Sequence, residues 1–309
     1  MRPPRSYLPS LAQSGSWKVG RAIVSTPVWW TGPLTWSGFR RTERLATFPQ
    51  VPDLSTMAVL PDGRAVLPVR AFSELQLMAV QKGKDPAPLV NTTEETAAPI
   101  AACGSREVAF MMGPEPHESI AFAEPATGRV VRTIAPGKGP VDSISCSPDG
   151  KTVYFSARGV IWSIPSSGSS GEAQRIRPGD GVVADPDGRR LIVQVQSSFQ
   201  LHRFSVPLDG GPEREIPADS SFPVAPLPPS PNALRADCRL LAPLLLHDSW
   251  FNPPAFIDIA TGHITRIPSD NLSDYQSIGW TPDGQVMALK IGLRATIWKF
   301  QPIPLAKEP

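Results

Sequence analysis

One tight-turn signature governs what this chain can fold into: Pro-Asp-Gly, found at Pro61-Asp62-Gly63, Pro148-Asp149-Gly150, Pro186-Asp187-Gly188 and Pro282-Asp283-Gly284. Each copy lies between two β-patterned runs: STMAVL and RAVLPV, DSISC and KTVYFS, GVVA and RRLIVQV, QSIGW and QVMALKI. Proline presets φ for the first turn position, aspartate bonds its own backbone, and glycine takes the positive φ that closes a hairpin. Weaker copies fill the gaps. PIAACGSREVAFMM turns around Gly104, ALRADCRLLAPLL puts Asp237 and Cys238 in the aspartate and glycine slots, and SWKVGRAIV offers Gly20 in the same role. The series 20, 63, 104, 150, 188, 238, 284 has a mean step of 44 residues over its six intervals. A fixed period of that length marks repeats of one supersecondary unit.

A second half of each unit is visible. A third strand reads in ELQLMAV (74–80), SIAFAE (119–124), VIWSIP (160–165), QLHRFSVP (200–207), AFIDI (255–259) and ATIWKF (295–300). A fourth reads in RVVRTI (129–134), AQRIR (173–177), EREIP (213–217) and HITRIP (263–268). Four short strands every 40 to 45 residues predict an all-β, seven-bladed β-propeller with four-stranded antiparallel blades, filling residues 1–309 as one domain. The alternative is a six-bladed ring whose first 50 residues form an irregular extension. The seventh unit stops after ATIWKF, residues 301–309 read as an irregular tail, and residues 1–12, with RSYLPSL (5–11), are the candidate closing strand or extension. Closure by the other terminus removes free sheet edges.

Composition agrees. Proline is 37 of 309 residues, about 12% and more than twice the usual share, which argues against helical bundles. Thirty basic and 28 acidic residues leave a net charge of +2, so no nucleic-acid partner is expected. Cys103, Cys146 and Cys238 are odd in number, widely spaced and without a C-x-x-C pair, and are read as buried free thiols. The longest apolar stretch, Leu240 to Leu246, contains Pro243 and is too short to span a bilayer. The first 15 residues lack the apolar core of a secretory signal. The expectation is a soluble chain without membrane insertion: periplasmic if part of a longer membrane-anchored kinase, otherwise cytoplasmic.

The run Ser147 to Ser156, SPDGKTVYFS, followed by Gly159-Val160-Ile161-Trp162, resembles the blades of TolB-type, WD-repeat-like propellers. PLTWSGFRRTERLATF (33–48), GGPEREIP (210–217), DSWFNPPAFIDIATGHITRIP (248–268) and GWTPDGQVMAL (279–289) look like the propeller region at the C-terminal end of certain bacterial serine/threonine protein kinases. In those proteins the propeller is regarded as a sensory or interaction region. The resemblance therefore implies a non-catalytic binding or sensing module for a protein or small ligand. Kinase chemistry cannot reside in these residues, because no G-x-G-x-x-G loop, H-R-D or D-F-G segment is present.

A search for chemistry yields little. Gly150-Lys151-Thr152 lacks the upstream glycine of a P-loop, where Ser145 stands, and no G-x-S-x-G elbow exists. His117, His202, His247 and His263 form no H-E-x-x-H pattern, and neither a metal nor a cofactor is expected. Asp62, Asp149, Asp187 and Asp283 are explained by turn chemistry. Trp162, Trp280, Trp298, Tyr154 and Phe155 are expected to pack between blades. In an up-and-down blade, first-to-second and third-to-fourth turns share one face, whereas the variable second-to-third and inter-blade loops share the other. Recognition usually sits on such loops. That face carries GPEPHES (113–119), HDSWFNPP (247–254), NTTEET (91–96) and DNLSDYQ (270–276). The candidate binding residues are Trp250 and Phe251 as aromatic anchors, with His247, Asp248, His117 and Tyr275. A monomer engaging an unidentified protein or small-molecule ligand is expected. The alternative is a propeller lyase or hydrolase at the channel mouth, which needs convergent acids and histidines on inner strands; Asp142 is the sole acid there.

Overall fold

The structure, a computed structural model, describes residues 20–25, 42–48, 57–71, 74–81, 84–90, 92, 96–113, 118–168, 172–197, 200–219, 230–244, 252–268 and 273–292. Two strands near the N-terminus, β1 (Gly20–Ser25) and β2 (Thr42–Phe48), precede the first sheet of β3 (Ala58–Val59), β4 (Ala65–Ala71), β5 (Glu74–Val80) and β6 (Ala87–Pro88). The second blade is β7 (Thr96–Cys103), β8 (Glu107–Met112), β9 (Ser119–Glu124) and β10 (Arg129–Ile134). The third is β11 (Val141–Cys146), β12 (Thr152–Ala157), β13 (Val160–Pro165) and β14 (Gln174–Pro178). The fourth is β15 (Gly181–Ala184), β16 (Arg190–Ser197), β17 (Gln200–Pro207) and β18 (Arg214–Ile216). A three-stranded fifth sheet holds β19 (Arg239–Pro243), β20 (Pro254–Asp258) and β21 (Ile264–Arg266). The last hairpin, β22 (Ser273–Trp280) and β23 (Val286–Gly292), pairs with β1 and β2 in the order β22-β23-β1-β2.

The described residues thus form six antiparallel sheets, not seven, arranged as a β-propeller. The correction has one cause. Gly20 does not turn a hairpin of its own; it opens β1, which lies antiparallel to β23 with Gly20 opposite Ile291 and Val24 opposite Met287. Nor are the first 50 residues simply an extension, because β1 and β2 supply the two outer strands of the closing blade. The closing segment expected at RSYLPSL, the strand expected at ATIWKF and the tail 301–309 lie outside the described residues.

Packing between blades explains why second strands read as nearly continuous apolar runs. Each blade is covered on both faces, so alternate residues of one strand enter different cores. On β12, Val153 and Phe155 join the second blade, while Tyr154 joins the fourth. On β16, Leu191 and Val193 face the third blade and Ile192 the fifth. The ring closes through Met287 and Leu289 of the last blade against Met57, Val59 and Leu67 of the first. As expected, Phe155, Tyr154, Trp162 and Trp280 pack in these inter-blade cores; Trp298 lies outside the described residues.

The fifth blade departs from the repeat. Its expected inner strand, around ALRAD, is an irregular segment carrying one bridge, Leu234 to Leu240. Pro231 has no N–H to offer a ladder, and Asn232 is committed elsewhere, as described below.

Cys103 and Cys146 are disulfide-bonded, which overturns their reading as free thiols; Cys238 alone is free. They end the inner strands of the second and third blades, 43 residues apart, with Cα atoms 5.1 Å apart. Near-period spacing brings equivalent ends of neighbouring inner strands side by side, a pairing that sequence distance conceals. No helix among the described residues is long and apolar enough to cross a membrane.

Candidate binding site at the channel mouth

Five of the six inner turns are built alike, the shorter one at Gly104 being the exception. The glycine-slot N–H donates to the carbonyl three residues earlier: Gly63 to Leu60, Gly150 to Ser147, Gly188 to Asp185, Cys238 to Arg235 and Gly284 to Thr281. Every glycine of these turns has positive φ, and so does Cys238, at 66°. Two of the turn aspartates cap backbone as expected, Asp62 accepting from the Arg64 N–H at 3.0 Å and Asp149 from the Lys151 N–H at 3.1 Å, whereas in the fourth blade the acceptor is Asp185, which takes the Asp187 N–H at 3.1 Å. In the last blade Asp283 instead accepts from the Thr281 hydroxyl and the Gln285 amide. The Ser147 hydroxyl, then the Lys151 N–H, hold the Asp149 carboxyl below its usual value. At Asp62 partial burial pushes upward, but hydrogen bonds from Arg64 prevail and the net shift is downward.

Inner strands of adjacent blades are stitched by side chains. The Ser143 and Ser145 hydroxyls accept the Val182 and Ala184 N–H groups of the next blade at 3.1 and 3.0 Å. Ser277 accepts from the Met57 N–H at 2.9 Å, and Ser230 from the Ile278 N–H at 3.2 Å. Asn232 reaches further: its Oδ1 accepts the Val59 N–H at 2.9 Å and its carbonyl the Trp280 N–H at 2.8 Å. It crosses above Gly279, where a Cβ would stand 3.2 Å from that of Asn232. The hydroxyl residues read in the inner strands therefore satisfy edge N–H groups that no ladder reaches.

These turns enclose a cavity of about 410 Å³, within the range of small-ligand sites. All six blades line it, through Val59, Ala102, Ser145, Ala184, Asn232 and Trp280 among others, and prolines 61, 148, 186, 231 and 282 stand around it. Asp185, nearly fully buried, is ion-paired with Arg190. Trp280 stacks on Phe256 with ring centroids 5.4 Å apart and carries the Arg235 guanidinium 4.9 Å from its centroid. Its buried Nε1–H has no hydrogen-bond partner. Among the described residues no group of His, Cys, Asp and Glu is arranged to hold a metal ion.

The cavity is on the turn face, opposite the loops favoured from the sequence. Of the residues proposed there, His117, His247, Asp248, Trp250 and Phe251 lie outside the described residues. Tyr275 is not a loop residue: it belongs to β22, is buried in the core shared with the fifth blade, and donates its N–H to the Asn252 carbonyl. The sequence reading missed Asn232, Arg235 and the orphaned indole of Trp280. The only signal was the Pro-Asp-Gly period itself, which sets the turns on a common face.

A ring of antiparallel sheets with a concavity at its inner turns defines a β-propeller. No protein-family model and no curated protein matches the chain. Solved structures do. A TolB-type protein from Agrobacterium tumefaciens is 16% identical, with a TM-score of 0.66 over 91% of this chain and 100% of that one. TolB from Acinetobacter baumannii is 11% identical, with a TM-score of 0.51 over 89% of this chain and 64% of that one. The fold is that of a TolB-type propeller.

Proposed function

We propose that this chain is a non-catalytic binding module which takes a protein or small-molecule ligand at the turn-face mouth of its channel. The observation that carries this reading is the cavity to which all six blades contribute. Catalysis is disfavoured by the state of the nearby carboxylates, since Asp62, Asp149, Asp185 and Asp283 are each tied to a turn or a cation. The disulfide between Cys103 and Cys146 supports an oxidising compartment, such as the periplasm of a bacterium. Association with a kinase rests on the sequence segments quoted above; neither solved structure is named as a kinase.

The test is a thermal-shift screen of metabolites together with an immobilised peptide library, run on the wild type, on a variant with Pro148→Trp and Pro186→Trp that crowds the mouth, and on Trp250→Ala. Hits lost on crowding and kept in Trp250→Ala support the mouth. Hits that ignore the crowding and vanish in Trp250→Ala move the site to the loop face.

A further inference from the structure

One wall of the cavity offers hydrogen-bond donors and no spare acceptor side chain. Trp280 belongs to this wall, although its own Nε1–H is buried away from a ligand's reach. Asn232 spends Oδ1 on the Val59 N–H, which leaves its Nδ2 hydrogens to face a ligand. Arg235 lies over the Trp280 ring, and its nearest carboxylate, Asp237, is 3.6 Å away and is shared with Arg239 at 3.7 Å. Asp237 thus stands beyond hydrogen-bond length of both guanidinium groups, Arg239 also faces Asp258 across the β19–β20 pair, and the N–H donors of Arg235 have no carboxylate bonded to them among the described residues. Potential acceptors are occupied. Ser145 takes the Ala184 N–H, Ser147 and Thr281 serve their own turns, and Asp185 holds Arg190.

We infer that the mouth recognises a carboxylate carried on an extended peptide, pairing it with Arg235 while a peptide carbonyl accepts from the Asn232 side-chain amide. This rests on the binding reading above and specifies its ligand. Arg235 suits the task because its planar fork can bond both oxygens of a carboxylate, and stacking on Trp280 already restricts its rotamers. A peptide is favoured over a small acid because an extended chain repeats carbonyl acceptors beyond its charged group. It would also lie across the proline rim formed by five different blades.

The experiment uses random hexapeptides on beads, one library ending in a free carboxylate and a second in an amide, sorted with the full chain. Selected sequences are then measured by fluorescence anisotropy. Binders carrying Asp or Glu at a recurrent position are expected from both libraries if the group is a side chain, and binders without that enrichment from the free-acid library alone if it is the C-terminus. Replacing that Glu by Gln in the peptide, or making Arg235→Gln, should weaken binding about tenfold or more. Arg235→Lys should fall between, and Arg129→Gln on the outer strand β10 should change nothing. The peptide swap leaves the protein intact, so it decides the matter even where Arg235→Gln folds poorly. Binders without acidic enrichment that come from both libraries alike and are still lost on crowding the mouth would overturn carboxylate recognition and leave the binding site standing. Absence of any binder, or binders indifferent to crowding, would overturn both.

Discussion

Cys238 occupies the slot that glycine fills in four other inner turns, and with φ of 66° it adopts a conformation that costs a side-chain-bearing residue about 1 kcal/mol or more. Its Sγ contacts the Arg190 guanidinium at 3.3 Å, a modest compensation. Cys238→Gly should therefore stabilise the protein by about 0.5 kcal/mol, after the entropy that glycine loses on folding. Gly150→Ala should do the reverse. Its φ is +72°, and a Cβ there would come 3.1 Å from the Gly104 backbone nitrogen in the neighbouring blade, so a loss of about 2 kcal/mol is expected. Urea midpoints of the two variants at unchanged m-value check both signs. The conformation of residue 238 was readable before any coordinates, because Asp237 and Cys238 stand in register with the other turns. The orphaned indole of Trp280 was not, since its surroundings come from the fifth blade and no local pattern encodes them.

Among the elements, third and fourth strands were the most legible. SIAFAE, RVVRTI, VIWSIP and QLHRFSVP are β9, β10, β13 and β17 residue for residue. Their bounds follow from turn residues at both ends, a local signal. The inner segment of the fifth blade was misread because Asn232 leaves ladder pairing to bridge two neighbouring blades, and that choice depends on residues far along the chain. Turn carboxylates give the elements a pH response. Asp258 is held below its usual value first by the Thr261 N–H and then, against slight burial, by further bonds including that of Ala260. A carboxylate with a depressed folded-state pKa contributes stability above its ordinary value near 3.8, and that contribution fades as pH falls through the lower folded value. Asp258→Asn should accordingly lower the urea midpoint near neutrality and flatten the decline below about pH 4 relative to wild type, as a pH series of denaturation curves would show.

For the molecule as a whole, the repeat announced a propeller, but the blade number depended on a pairing between residues more than 250 positions apart, Gly20 with Ile291. A period cannot distinguish a seventh unit from two strands lent to the sixth. The disulfide was hidden for a related reason, joining cysteines nearly one full period apart. Reducing it, or making Cys146→Ser, should lower stability by about 2–4 kcal/mol, since a cross-link closing a loop of that length restricts the unfolded chain. Denaturation with and without a reductant, the Cys146→Ser variant serving as the control that no longer responds, measures this directly. Closure through β1 and β2 carries a further consequence for biogenesis. As the polypeptide leaves the ribosome, residues 20–48 emerge long before their sheet partner at 286–292. An isolated pair of strands is marginal in water, so these two have to wait until the five intervening sheets have been translated before they can lock the ring, and the nascent chain carries an exposed edge until that moment.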